Sequence, residues 1–135
     1  MQVLFIGQNP SAKNTDKSVP FVGTKSYETL KVWMREIGIR QTDEVRYINA
    51  SNKVGRVNLG DVDVHPLIMA LAEGPDKILC LGKYATKALK LSLKQTAIRP
   101  PVSFELPHPS PRNRALNSKS YVRRCLRLCK EYLTK

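Results

Sequence analysis

Leu106-Pro107-His108-Pro109-Ser110-Pro111-Arg112-Asn113-Arg114 carries an imidazole, a hydroxyl and two guanidiniums on a loop stiffened by three prolines. Each proline fixes its φ angle, so the loop loses little entropy when it grips a partner. A neutral imidazole still holds one N–H for developing negative charge. The hydroxyl and guanidiniums suit phosphate oxygens and base edges. The same stretch also reads as a basic surface turn, and the loop alone does not decide between the two.

A second segment bears on that choice. Gln2-Val3-Leu4-Phe5-Ile6 is a short apolar run of strand formers that ends in Gly7-Gln8-Asn9-Pro10-Ser11. A strand that stops at glycine and turns through Asn-Pro puts Gln8 and Asn9 at the carboxyl edge of a sheet, where open α/β sheets bind ligands. Asn-Pro is also common in ordinary turns. No G-x-G-x-x-G follows, and Gly82-Lys83 lacks the upstream glycine of a P-loop.

These groups need a frame to bring them together. Strand patterns run at Gln2–Ile6, Val45–Ile48, Lys77–Leu81 and Val102–Leu106. They alternate with helical patterns at Ser26–Ile37, Val64–Glu73, Lys83–Leu93 and Leu116–Leu133. The alternation predicts an α/β fold, a three-layer α/β/α sandwich with a small four-stranded parallel sheet, as a single domain over residues 1–135. Asp63 is the expected N-cap of the second helix, and Asn117 or Ser118 that of the last. Gly38 and Gly74 fall at helix ends. In such a sheet Gln8, Asn9, Asn49 and His108 all leave strand ends on one edge, with Phe21 on the loop after the first strand.

Bulk composition narrows the partner. The 23 Lys and Arg against 11 Asp and Glu give a formal charge of +12, which favours a polyanion, nucleic acid above all. A membrane surface is the rival, but the basic residues are spread along the chain instead of forming one amphipathic helix. No apolar run approaches a membrane span and no signal peptide pattern opens the chain. With three cysteines, an odd count, this points to a reducing, intracellular setting, the cytoplasm or a host cell's cytoplasm if the source is viral. Cys125 and Cys129, four apart, are expected to share a buried helix face. No C-x-x-C occurs, no His pairs with the cysteines at ligand spacing, and a monomer without metal or cofactor is expected.

Taken together, the segments resemble the uracil-DNA glycosylase superfamily. Gly7-Gln8-Asn9-Pro10 resembles its N-terminal strand-end motif, and His108-Pro109-Ser110-Pro111-Arg112-Asn113 its His-Pro loop, most like the single-strand-selective monofunctional branch. Pro20-Phe21-Val22-Gly23, Tyr47-Ile48-Asn49-Ala50-Ser51-Asn52-Lys53 and Lys77-Ile78-Leu79-Cys80-Leu81-Gly82-Lys83-Tyr84-Ala85 are similar to the iron–sulfur branch. Two of that branch's cluster cysteines would fall near Lys53 and Val64, and its N-terminal pair is absent, so the resemblance carries no cluster with it.

The resemblance implies a monofunctional glycosylase that hydrolyses the N-glycosidic bond of flipped-out uracil in single- or double-stranded DNA, within base excision repair. Phe21 would stack on the base. Asn49 would read its edge, with Gln8 adding backbone or a polar contact, and Ser11 would stand where bulk excludes thymine. Asn9 would orient the attacking water, a place some branches give to aspartate, so an Asn9→Asp exchange should retain activity or raise it. His108 would donate to uracil O2. Arg112 would wedge into the duplex, Ser110 would pinch a phosphate, and Arg114, Lys83 and Lys53 would be phosphate contacts or plain solvated surface. With no carboxylate in the first motif, a non-catalytic DNA-binding or accessory module on the same scaffold stays open as the alternative.

Overall fold

Val3-Leu4-Phe5-Ile6 and Ile78-Leu79-Cys80-Leu81 are apolar at every position, the pattern of strands covered on both faces. A computed structural model, which describes residues 1–10 and 24–135, uses both runs in that way. Its elements run β1 (Gln2–Gly7), α1 (Lys25–Glu36), β2 (Glu44–Asn49), α2 (Val64–Ala72), β3 (Lys77–Leu81), α3 (Lys83–Leu93), β4 (Ser103–Leu106) and α4 (Lys119–Leu133). All strand pairs are parallel, in the order β2-β1-β3-β4.

Alternation along the central strands builds two cores. Val3, Phe5, Leu79 and Leu81 pack with Leu30, Trp33, Leu126 and Cys129 of α1 and α4. Leu4, Ile6, Ile78 and Cys80 pack with Leu67, Leu71, Ala85 and Leu89 of α2 and α3. Each large apolar side chain so buried contributes about 1.5–3 kcal/mol relative to exposure. The fold is therefore the expected three-layer α/β/α sandwich. Its strand order reverses at β1, which has β2 on one side and β3 on the other. That reversal opens a crevice at the carboxyl ends of the strands.

The element ends differ from expectation for local reasons. Val102 is 83% exposed and stays outside β4. The last helix starts at Lys119 and not at Leu116, because Arg114–Asn117 form a 3₁₀ turn. The Ser118 hydroxyl then caps α4 by accepting from Tyr121 N–H at 3.3 Å. Asp63 stands at the N-cap of α2, but its carboxylate accepts from Asn52 N–H at 2.7 Å and caps nothing in the helix. Gly38 and Gly74 take the left-handed conformation at the ends of α1 and α2. Cys129 is buried while Cys125 is half-buried, so the pair shares the core face unequally. Among the described residues, no helix is long and apolar enough to cross a membrane.

Candidate active site at the carboxyl edge of the sheet

β1 and β2 deliver the first groups. Gly7 and Asn49 are register partners, and the ladder continues past them. Ala50 N–H donates to Gly7 O at 2.9 Å and Ser51 N–H to Gln8 O at 3.0 Å. Gln8 thus contributes a backbone carbonyl to the frame. Asn49 is only 7% exposed, and its Oδ1 is buried without a hydrogen-bond partner. A buried acceptor left unmade costs roughly 1–3 kcal/mol. Such an orphan at a sheet edge is explained by a partner from outside the chain, an ordered water or a bound ligand.

Asn9 has a different situation. Its Nδ2 donates to Lys53 O at 2.8 Å and to Gly55 O at 2.7 Å. Both amide hydrogens are committed, so the side chain staples the turn after β1 to the loop after β2. Any work on water falls to its Oδ1, as an acceptor. That loop is tied down further. Lys53 N–H donates to Ser51 Oγ, and Asn58 and Asp61 form a reciprocal cap around Leu59–Asp61. Tyr84 Oη of α3 donates to Asn58 O at 2.7 Å. The Lys53 ammonium lies 3.6 Å from Asp61, so this phosphate candidate already has a counter-charge.

β4 delivers His108. Ser110 N–H donates to its Nδ1 at 3.1 Å, which assigns the proton of the neutral ring to Nε2. Burial pushes its pKa below the ordinary imidazole value, so the ring is neutral at pH 7. Asn113 holds the loop shut: its Nδ2 donates to His108 O at 2.9 Å and its N–H to Ser110 O at 3.0 Å. Ser110 Oγ accepts from Arg112 N–H at 3.2 Å, which leaves the hydroxyl proton for an outside acceptor. The Arg112 and Arg114 side chains are exposed.

The floor under His108 is Gly82. This residue has φ +92°, and its N–H donates to Leu106 O at 2.8 Å. A Cβ built there would stand 3.2 Å from the His108 Cβ and 3.7 Å from its Cδ2. Only glycine allows the β3–α3 turn to pass this close.

Gln8, Asn9, Asn49, Lys53, Lys83, His108, Ser110 and Arg112 all follow the carboxyl ends of the strands, and Arg114 begins the next turn. Ser11 and Phe21 lie outside the described residues. Sequence reading missed Gly82 and Asn113 as supports. Their signals were a strand-terminal glycine facing a histidine loop and an asparagine ahead of a short helical turn. Two hollows lie away from this edge. One, of about 100 Å³, sits among Gln2, Glu44, Arg46 and Glu73 at the opposite end of the sheet. The other, open and about 580 Å³, lies between α1 and the start of β2. Neither holds a comparable set of convergent groups. Among the described residues no three His, Cys, Asp or Glu side chains converge to hold a metal ion. Burial drives the thiols of Cys80 and Cys129 up to about 11 and about 12, which makes both poor nucleophiles and ligands.

The edge thus joins a buried unpaired amide oxygen, a neutral imidazole of fixed tautomer and exposed guanidiniums. A family model described as the uracil DNA glycosylase superfamily matches residues 1–130. No curated protein matches the chain.

Proposed function

The chain belongs to the uracil DNA glycosylase superfamily, and from that premise we propose that it is a monofunctional uracil-DNA glycosylase acting in base excision repair. The observation that carries the reading is the Asn49 Oδ1, buried and unpartnered at the same edge as His108. Uracil presents a donor at N3 and an acceptor at O4. The Asn49 oxygen accepts from N3–H and its amide nitrogen donates to O4. Cytosine has an acceptor at N3 and would leave the oxygen both desolvated and opposed. Sites built to bond a polar group reject analogues that lack it far better than apolar sites do.

In the proposed reaction the nucleotide leaves the base stack. The bond between C1′ and N1 breaks and its electron pair goes to the base. His108 Nε2–H stabilises the charge that collects on O2. A water held through the Asn9 Oδ1 adds its oxygen to C1′ and gives up a proton to solvent. Asparagine takes no proton, so this step is slower than one served by a carboxylate. Phe21 stacks on the base and Ser11 lines its C5 side. Arg112 fills the gap left in the duplex, and Ser110, Arg114, Lys83 and Lys53 hold phosphates.

One observation favours a second reading. The Asn9 amide is committed to two backbone carbonyls, a purely structural use, and Gly7-Gln8-Asn9-Pro10 offers no carboxylate. A DNA-binding module without chemistry would need no more. Incubation with an oligonucleotide containing one uracil separates the two. The glycosylase leaves alkali-labile abasic sites and no borohydride-trapped protein–DNA adduct. Binding without abasic sites supports the module.

A further inference from the structure

The outward face of α3 is a line of lysines. Lys83, Lys87 and Lys90, with Lys94 in the C-cap, are all exposed and recur at spacings of four, three and four. At 3.6 residues per turn they fall within a sector of about 60° and span about 17 Å. The opposite face of the helix, Ala85, Ala88, Leu89 and Ser92, is buried. The direction of the line is therefore fixed by packing.

This line is unfavourable in the free protein. Like charges at these spacings destabilise a helix by about 0.2–0.5 kcal/mol per pair. No Asp or Glu lies within α3, and among the described residues none of the four lysines makes an ion pair. Lys83 also puts a positive charge in the first turn, where the helix dipole is positive, and Gly82 supplies no side-chain cap, whereas Lys90 and Lys94 at the other end suit the dipole. The other basic helix is built differently. In α4 the Arg124 guanidinium lies over the Tyr121 ring at 5.9 Å, Ser118 caps the start, and one acid, Glu131, stands among five basic residues. Ordinary solvated faces intersperse both signs, whereas α3 carries no acid at all. A single-sign face with no ion pair among the described residues is relieved by a polyanion.

We infer that the lysine face of α3 is a track for the phosphodiester backbone of DNA flanking the reacting nucleotide. The inference deepens the reading of the chain as a DNA glycosylase. The track starts beside the site, because Gly82, which precedes Lys83, packs against His108. It then leads away from the carboxyl edge along the outside of the sheet. With one phosphate per strand every ~3.4 Å of B-form axis, about 17 Å of helix runs past about five phosphates. DNA held there stays on the protein when the base in the pocket is the wrong one. A flanking grip of this kind supports movement along DNA between lesions.

The test uses undamaged oligonucleotides, so it does not depend on excision. The binding constant is measured across a salt series for wild type, for a Lys87→Gln/Lys90→Gln/Lys94→Gln variant, and for Arg123→Gln/Arg127→Gln/Lys130→Gln on α4, which removes the same charge. Lys83 is left in place because it stands at the edge. The α3 variant should lower the slope of log K against log salt by about two units, at ~0.7–0.9 for each phosphate no longer neutralised. The α4 variant should lower it by less than half as much. Equal slopes for wild type and the α3 variant, or equal losses in the two variants, would overturn the track. So would an unchanged DNA slope with lost binding to phosphatidylserine vesicles, which would make the face a membrane contact. A protein that binds DNA in this way yet leaves uracil in place would sink the enzymatic reading and keep the track.

Discussion

Gly82 and His108 are packed so closely that a methyl group on the one would stand 3.2 Å from the Cβ of the other. Gly82 also sits at φ +92°. Gly82→Ala therefore carries two penalties, about 1–3 kcal/mol for a backbone conformation open essentially to glycine and a displacement of the imidazole. Single-turnover excision should fall at least tenfold while affinity for uracil-containing DNA changes little. Equal losses in rate and affinity would mean that the turn supports DNA binding and not His108.

In the proposed reaction the imidazole sets the acid limit. Burial holds the His108 pKa below its ordinary value. The neutral donor therefore persists as pH falls through 6.5, and the excision rate should hold until a lower pH. The sign for stability follows from the same shift: the unfolded chain takes up its proton first, so His108 makes the protein less stable as pH falls below the unfolded value of about 6.5. His108→Ala should cut the single-turnover rate by about 10²–10³ and remove this contribution to the melting profile. An excision rate already halved at pH 6.5 or above would rule out a neutral donor.

Asn9→Asp tests the staple. Read from the sequence, this exchange restores a carboxylate and should help. In the structure it sets a carboxylate oxygen against Lys53 O and Gly55 O, where two N–H donors had been 2.8 and 2.7 Å away. The variant should melt lower than wild type at pH 7. Protonation gives back one donor, so its folded pKa rises and the deficit should shrink toward acid pH. An Asn9→Asp protein as stable as wild type across that range would show that the loop does not depend on the staple.

Asn49 should separate stability from activity. Its buried Oδ1 has no partner among the described residues, so Asn49→Ala removes an unsatisfied acceptor along with some packing. Melting temperature should be nearly unchanged or higher, while uracil release is lost. Free uracil should raise the melting temperature of wild type and not of the variant. A large drop in stability with activity retained would return Asn49 to a structural role.

Arg112 is exposed on the His108 loop with its backbone tied to Ser110. As a wedge it offsets unstacking, which costs a few kcal/mol in duplex and less in single strands. Arg112→Ala should slow single-turnover excision much more on double-stranded than on single-stranded substrate. Equal losses on both would reduce it to a phosphate anchor.

The frame was legible because the physics that builds it is local. Unbroken apolar runs at Val3–Ile6 and Ile78–Leu81 mark strands covered on two faces, and helical spacing between them marks the layers. The placement of Asn49 at the end of β2 and of His108 two residues past β4, on the same edge, was legible because strand ends can be read from the apolar runs. The roles of Asn9 and Gly82 were not legible. Whether an amide hydrogen meets water or a carbonyl is decided by a loop more than forty residues away, since Asn9 and Lys53 lie 44 apart in sequence. Glycine at 82 reads as a turn until the histidine above it is in place. The lysines of α3 were counted in the net charge, but their alignment appears only once the buried face fixes the rotation of the helix.

The strand order has a consequence for how the protein comes to act. β1 finds its inner neighbour only when β3 arrives, and Gln2 and Asp76, joined by a hydrogen bond beside that pairing, are 74 residues apart. β4, which His108 follows by two residues, can join only after β3. Long-range parallel pairings of this kind form slowly, because a large loop must close before any contact rewards it. During synthesis the nascent chain therefore holds Asn9 and Asn49 well before His108 emerges. On the proposed reading activity comes last, and a chain arrested before β4 would be basic, sticky at its unpaired β3 edge and without its histidine donor.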